Sequence, residues 1–166
     1  MLIRPFNVAD TEAVVALWTD CGLVRPWNDP HRDIARKLTV QPELFLVGVE
    51  PAPMPASAAD DATVSGPADP AGVDAAGDAP SVIASAMVGY DGHRGWVNYL
   101  AVSPAAQRRG YARQLMAEAE RLLTERGCPK LNLQVRSDNT EAQNFYRALG
   151  YEPDHAVAYG KRLIAD

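Results

Sequence analysis

Apolar and polar residues alternate along the chain with two different periods, and their order predicts interleaved strands and helices. Short apolar runs bounded by turn residues predict strands at residues 2–5, 44–49, 81–90, 96–102 and 131–135. Apolar side chains spaced three and four positions apart predict helices that begin near residues 10, 29, 112 and 138. Gly22, Gly127 and Gly150 follow three of these helices, where glycine favours termination. A final strand is predicted near residues 155–160.

The order of these elements predicts how the strands run. Residues 91–95 form a tight turn, so the strands on either side should be antiparallel. The strands at 96–102 and 131–135 are joined by a helix, and such a crossover makes them parallel. The order β-α-α-β-β-β-α-β-α-β therefore predicts one mixed sheet covered by helices, an α/β (α+β) fold.

The stretch at residues 107–112, Gln-Arg-Arg-Gly-Tyr-Ala, lies between the strand at 96–102 and an amphipathic helix. A helix N-terminus presents unpaired backbone N–H groups and a positive dipole end, which together favour an anion such as phosphate. Gly110 permits close approach, and Arg108 and Arg109 add positive charge. The alternative is a turn that only caps the helix.

A second motif follows in the C-terminal third of the chain. Asn139 lies in a turn, and the helix after it ends with Phe-Tyr-Arg-Ala-Leu-Gly-Tyr at 145–151. The two motifs in this order resemble the GNAT superfamily of acyl-CoA-dependent N-acetyltransferases, whose first motif is Gln/Arg-x-x-Gly-x-Gly/Ala. The resemblance covers residues 1–50 and 81–166. The stretches 25–30, 89–95, 126–130 and 160–164 are similar to the small bacterial YpeA-type acetyltransferases.

The resemblance implies a GNAT fold with six to seven strands, about four helices and two central parallel strands that splay at their carboxyl ends. The wedge would lie between residues 100–102 and 133–135. Acetyl-CoA, as a co-substrate, would pair its pantetheine with the strand edge and place its pyrophosphate on residues 107–112. A backbone N–H near Leu100 or Val102 would polarise the thioester, and the amine would attack without a covalent enzyme intermediate. The implied cofactor-binding residues are Leu100, Ala101, Val102, Gln107, Arg108, Arg109, Gly110, Tyr111, Ala112 and Asn139.

The resemblance also suggests which residues act in catalysis. Tyr146 is the predicted hydrogen-bond donor to the leaving thiolate; the alternative is that it only packs with the apolar stripe of its helix. Gln134 occupies the position at which one branch of the family carries a glutamate base, and an amide cannot accept a proton. Water held by Gln134, Asn98 or Tyr99, or the Asp91 carboxylate, remain candidates, and we assign no base.

Substrate binding is predicted for the loop between the first two helices, which in this family borders the acceptor groove. An exposed Trp27 would recognise the acceptor, whereas a buried one would only pack. For Asn28 and Asp29, acceptor recognition and a plain role in capping the next helix are equal alternatives. The predicted acceptor site consists of Trp27, Asn28, Asn98, Tyr99 and Gln134. Asn139 either caps its helix, contacts the cofactor, or does both.

Composition changes this interpretation at one place. Of 166 residues, those at 51–80 contain ten Ala, six Pro, five Asp and three Gly, without Lys or Arg. This segment carries the whole net charge of −5, so the acidity is no guide to the substrate. Its composition predicts a disordered insertion, and we expect a single GNAT acetyltransferase domain over residues 1–166.

The remaining residues limit the choice of function. Cys21 and Cys128 should be free thiols in a reducing cytoplasm, and three scattered histidines predict no metal site. No apolar run approaches the length of a membrane span. We expect a small-molecule or peptide amine as partner, with no nucleic acid and no membrane, and leave a homodimer open. The alternatives are a non-catalytic acyl-CoA-binding module and an acyltransferase that uses another acyl-CoA.

Overall fold

The computed structural model describes residues 1–50 and 81–164. Its centre is one sheet whose strands are adjacent in chain order. The strands are β1 (Leu2–Pro5), β2 (Phe45–Glu50), β3 (Ser81–Tyr90), β4 (Gly95–Val102) and β5 (Leu131–Leu133). β1, β2, β3 and β4 pair antiparallel in succession, and β5 runs parallel to β4. The sequence predicted the directions of the β3–β4 and β4–β5 pairs.

Four α-helices among the described residues cover the sheet, at the predicted places in the chain. They are α1 (Thr11–Asp20), α2 (Pro30–Leu38), α3 (Tyr111–Glu125) and α4 (Thr140–Ala148). Side-chain caps fix where α2 and α4 begin. The Asp29 carboxylate accepts the N–H groups of His31 and Arg32, and the Asn139 side chain accepts the Ala142 N–H.

The N-caps of α1 and α4 agree with the predicted helix starts to within one residue. Asn139 is the N-cap of α4, as one of its expected roles had it, because its side-chain oxygen reaches the first turn. At the other end of the chain, Asn7 and Asp10 form a reciprocal capping box around a short 3₁₀ turn that leads into α1. The Asp10 carboxylate also accepts two hydrogen bonds from Arg4, at 2.7 and 2.8 Å.

The core lies on both faces of the sheet. On one face α3 contributes Leu115, Met116 and Leu123, which pack with Leu46 of β2. On the other face a second buried cluster joins α1, α2 and the opposite side of β2; it consists of Phe6, Val14, Leu17, Trp18, Ile34, Phe45, Val47, Val49 and Ala101. Because both faces are covered, β2 is an almost continuous apolar run.

A β-bulge interrupts the pairing of β3 with β4. Ser85 faces Ala101 and Met87 faces Asn98, so two residues of β4, Tyr99 and Leu100, oppose Ala86 alone. Tyr99 adopts the left-handed conformation with φ of 51°. The bulge bends β4 shortly after its pairing with β5 ends.

Five strands form among residues 1–50 and 81–164, fewer than the expected six to seven. The strand predicted near residues 155–160 is absent. His155 has φ of 47°, which breaks an extended conformation, and Val157 and Tyr159 are 75% and 93% exposed. With no apolar surface covering them, these residues gain too little from pairing with the short β5.

The predicted insertion at 51–80 lies outside the described residues. Its two neighbours, Glu50 and Ser81, are direct partners across β2 and β3. Within the described part of the chain, no helix is long and apolar enough to cross a membrane.

Candidate active site

The pairing of β4 with β5 ends well before β4 does. It joins Gly95 to Leu131, Trp96 to Asn132 and Val97 to Leu133. From residue 98 to Val102, β4 continues with no strand partner on that side among the described residues. The predicted strand at 131–135 is therefore shorter than expected, and this edge of β4 is open to an added extended ligand.

The N-terminus of α3 lies beside this open edge. Gly110 precedes the helix in the left-handed conformation, with φ of 80°, and Arg108 also has a positive φ of 65°. No side chain in the described residues caps α3, in contrast to α2 and α4. The first N–H groups of α3 are thus available to an anion.

The open edge and the helix tip border one cavity of about 530 Å³, which we call the central groove. It brings together most of the predicted cofactor-binding residues and the predicted catalytic tyrosine. Those that line it are Leu100, Ala101, Val102, Gln107, Arg108, Gly110, Tyr111, Ala112, Asn139 and Tyr146. Asn139 therefore caps α4 and also faces the groove.

Arg109 is the predicted cofactor-binding residue that does not line the groove. Its guanidinium donates to Glu50 at 2.9 Å, and the Tyr111 hydroxyl donates to the same carboxylate oxygen at 2.8 Å. The acidic partner at the end of β2 holds Arg109 aside, and no sequence signal linked two residues so far apart. Arg108 does line the groove, where it lies 3.4 Å from the exposed Glu141.

Charge in the groove comes from Arg108, Arg113 and Glu141, so basic groups outnumber acidic ones among its described lining residues. This balance, added to the positive end of the α3 dipole, favours a polyanionic ligand at this end of the groove. The groove also has apolar lining residues, among them Leu23 and Phe145.

The carbonyl of Val102 accepts two side chains and so fixes the end of β4. The Gln107 amide donates to it at 3.2 Å and the Cys21 thiol at 3.3 Å. Burial raises the pKa of Cys21, which keeps the thiol protonated and unreactive. Sequence reasoning missed Cys21 and Leu23 as groove residues, because they follow α1 and reach the groove only through the tertiary fold. Cys128 is also a free thiol.

Tyr146 projects from α4 between the central groove and a second cavity along the outer edge of β5. Its ring contacts Phe145 and Tyr151 edge to face, with centroids 5.1 and 5.8 Å away. Burial raises the pKa of Tyr146 to about 12. Its hydroxyl makes no hydrogen bond within the described part of the protein, so it is a protonated donor without a partner in those residues.

The residues predicted for the acceptor do not line the central groove. Trp27 is 57% exposed in the loop before α2, which matches the recognition alternative more closely than the packing one. Asn98 is exposed just beyond the last β4–β5 pair, and Gln134 is exposed beyond the end of β5. Tyr99 lies on the other face of the sheet, where it packs with Trp18.

Asp91 is a poor candidate base. Its carboxylate accepts the backbone N–H groups of Arg94 and His93 and the Trp96 indole N–H. These hydrogen bonds, led by that of Arg94, lower its pKa to about 2. The carboxylate therefore stabilises the β3–β4 turn and has little tendency to take up a proton.

Comparison with known proteins agrees with this geometry. Acetyltransferases of Yersinia enterocolitica and Pectobacterium atrosepticum are 43% and 42% identical to the chain over 166 residues, spanning all of it and 98% of each relative. The fold is similar to that of Ard1 from Thermoplasma volcanium, with a TM-score of 0.63 and 23% identity over 90% of this chain and 80% of that one.

A second solved structure with a similar fold is AAC(6')-Iy in complex with the bisubstrate analogue CoA-S-monomethyl-acetylneamine. Its TM-score is 0.64 at 19% identity, over 98% of both chains. At these identities the structures support the fold alone. Residues 24–151 match the model of the acetyltransferase (GNAT) family, and this match, together with relatives at 43% identity over the whole chain, shows that the protein belongs to that family.

Proposed function

We propose that the protein is an N-acetyltransferase that moves the acetyl group of acetyl-CoA directly to a primary amine of a small molecule or peptide. The observation that carries this proposal is the junction of an uncapped α3 N-terminus with an unpaired length of β4 in one groove. An anion site next to an open strand edge matches the two halves of coenzyme A, a diphosphate and a diamide arm. AAC(6')-Iy, whose fold is similar, was solved with a CoA bisubstrate analogue; for this chain the same ligand is part of the proposal.

The residues present fit such a ligand. Backbone N–H groups at the start of α3 would hold the diphosphate, with Arg108 and Arg113 adding charge. The free edge of β4 between Leu100 and Val102 would pair with the amides of the pantetheine arm. The arm would then lead along the groove towards Tyr146.

Acyl transfer forms a bond from the amine nitrogen to the acetyl carbon and breaks the bond from that carbon to sulfur. Coenzyme A leaves as the thiolate, and the nitrogen gives up one proton to solvent. Tyr146 would donate a hydrogen bond to the sulfur as negative charge develops on it. Transferring its proton completely from a pKa of about 12 to a thiolate with a pKa near ~8.5 costs about 5 kcal/mol. Tyr146 therefore acts as a hydrogen-bond donor and retains its proton during C–S cleavage.

The amine must enter as the neutral form. For a lysine-like amine with a pKa near ~10.4, deprotonation at pH 7 costs about 4.6 kcal/mol. Gln134 supplies no carboxylate for this step, and Asp91 is committed to its turn. Holding the two reactants in line would supply much of the rate gain.

Binding and turnover measured separately test the proposal. Calorimetry should show that the protein binds acetyl-CoA, and release of free CoA thiol should follow when a panel of amines and peptides is added. Binding of acetyl-CoA without turnover on any amine would identify a non-catalytic binding module. Faster turnover with propionyl- or succinyl-CoA would identify a different acyl donor, and absence of acyl-CoA binding would refute the site itself.

A further inference from the structure

Tyr99 stands out in β4 because its backbone is strained and its side chain is held from several sides. Its φ of 51° lies in the left-handed region, which costs a non-glycine residue roughly 1–3 kcal/mol. Such a conformation persists only where surrounding contacts impose it. The contacts that impose it here come from three other elements of the fold.

Three groups hold Tyr99 at different points. Its hydroxyl donates to the Asp33 carboxylate of α2 at 2.6 Å. Its ring stacks on Trp18 of α1, with centroids 4.0 Å apart and planes 17° apart. Its backbone carbonyl accepts the fully buried Ser85 hydroxyl at 3.3 Å, and the same hydroxyl accepts the Trp18 indole N–H at 2.8 Å.

Asp33 is in turn held in place. Its second carboxylate oxygen accepts from Arg36 one helical turn later, at 3.1 Å. The carboxylate is mostly buried, with its side chain 19% exposed, although α2 is otherwise a surface helix rich in charge. An aspartate in this environment is more than a solvated surface charge, since it connects α2 to the backbone of the central sheet.

The bulge that these contacts maintain adjoins the stretch of β4 that lines the central groove. Tyr99 and Leu100 are the two bulge residues that oppose Ala86. Leu100 lines the groove, and so do Ala101 and Val102 after it. A change in the backbone at Tyr99 therefore moves the N–H groups that follow it. The orientation of those N–H groups determines how strongly they would polarise a bound thioester carbonyl.

We propose that Asp33 is a positioning residue for acyl transfer, acting through the Tyr99 hydroxyl to hold the β4 bulge in the geometry that aims its backbone N–H groups at the thioester carbonyl. The inference rests on the proposed function. It adds a role for α2, which begins three residues after Trp27, in setting the reactive end of the groove.

The test uses Tyr99→Phe, which keeps the ring stack on Trp18, and Asp33→Ala, which removes the acceptor. Tyr90→Phe is the matched control, because the Tyr90 hydroxyl also donates a hydrogen bond, to Gly92 at 3.2 Å, but lies at the exposed end of β3. Infrared spectroscopy of bound acetyl-CoA labelled with ¹³C at the carbonyl reports how strongly that carbonyl is polarised, and folding stability alone does not change this signal.

In the wild-type protein the carbonyl band should lie below that of free acetyl-CoA. Tyr99→Phe and Asp33→Ala should move it back towards the free position and lower kcat by about 10–100-fold, the effect of a small misplacement of reacting groups. The KM for acetyl-CoA should stay within a few-fold. The double variant should be no worse than either single one, since both break the same hydrogen bond, and Asp33→Asn, which keeps an acceptor oxygen, should recover part of the loss.

A band and a kcat that stay at wild-type values in Tyr99→Phe would overturn the positioning role, and so would equal changes in the Tyr90→Phe control. If wild type binds acetyl-CoA but turns over no amine, the band shift still decides the inference while the proposed function fails. If wild type binds no acetyl-CoA, both fail together.

Discussion

Replacing Tyr146 with phenylalanine removes one oxygen atom from the wall of the central groove. The hydroxyl makes no hydrogen bond within the described residues, so its loss leaves no protein group unsatisfied. The ring contacts with Phe145 and Tyr151 remain. We therefore expect the free energy of unfolding near pH 7 to change by less than about 1 kcal/mol.

The effect on turnover should be much larger. A hydrogen bond to a charged group contributes about 1.5–3 kcal/mol, which corresponds to about a 10- to 150-fold decrease in kcat. The ground-state thioester carries no charge on sulfur, so the contact strengthens only as the C–S bond breaks. Affinity for acetyl-CoA should thus stay within a few-fold of wild type.

Tyr151→Phe is the control for this experiment. Tyr151 lies beside Tyr146, but its hydroxyl donates to Glu120 at 2.6 Å and does not line the central groove. Calorimetry measures binding of acetyl-CoA, and thiol release with saturating amine measures kcat. Unchanged kcat in Tyr146→Phe, or an equal decrease in Tyr151→Phe, would refute the assignment of the thiolate donor to Tyr146.

Burial of Tyr146 also predicts how pH affects stability. Its pKa is raised to about 12 in the folded protein, from 10.0 as an unperturbed group. Between these values the unfolded chain loses the proton while the folded one keeps it, so stability falls as the pH rises through this range, by up to about 2.7 kcal/mol. Tyr146→Phe should lose less stability than wild type between pH 9 and 11 in urea titrations. If wild type and Tyr146→Phe lose the same free energy of unfolding at alkaline pH, Tyr146 is solvated in the folded protein.

Three further results are expected. Gly110→Glu should abolish acetyl-CoA binding in calorimetry, because it places a negative charge at the tip of α3. The control Gly127→Glu introduces similar backbone strain at the far end of the same helix and should bind acetyl-CoA normally. Equal binding by the two variants would argue against the anion site. Asp10→Asn should lower the free energy of unfolding at pH 7 by about 2–3 kcal/mol, because it removes the charge partner of Arg4. The Asp10 pKa is lowered chiefly by that Arg4 contact, so wild type should lose this stability as the pH falls below about 4, and the variant should not. Replacing residues 51–80 with Asn-Gly should leave the melting temperature unchanged or raise it. The flanking residues Glu50 and Ser81 are already paired across β2 and β3, and a shorter connection lowers the entropic cost of closing the loop. A large decrease in melting temperature would show that the segment packs on the domain.

Local patterns in the sequence predicted most of the fold. The strands and helices appear where period and capping residues placed them, because each depends on neighbours within a few positions. Asp29 and Pro30 alone were enough to predict the start of α2. Where a strand depended on a distant partner, as at 155–160, the prediction was wrong.

The candidate site likewise contains residues that the sequence predicted and residues that it did not. Residues 107–112 and Tyr146 were predicted from motifs, since each belongs to a contiguous stretch that shapes one helix end. Cys21, Glu50 and Asp33 were not, because their contacts with Val102, Arg109 and Tyr99 join residues far apart in the chain. The hydrophobic periodicity of the chain carries no information about contacts between such distant residues.

The sequence by itself determined which helix end is free to bind an anion, since that requires only a glycine, an amphipathic stripe and the absence of a local capping side chain. The tertiary structure decided that this end meets an unpaired length of β4, that Arg109 turns to Glu50, and that Tyr99 is held in a strained bulge. The physical reason is that a helix end depends mainly on adjacent residues, whereas the separation of two strands, the partner of a charge and a strained bulge depend on packing across the whole domain.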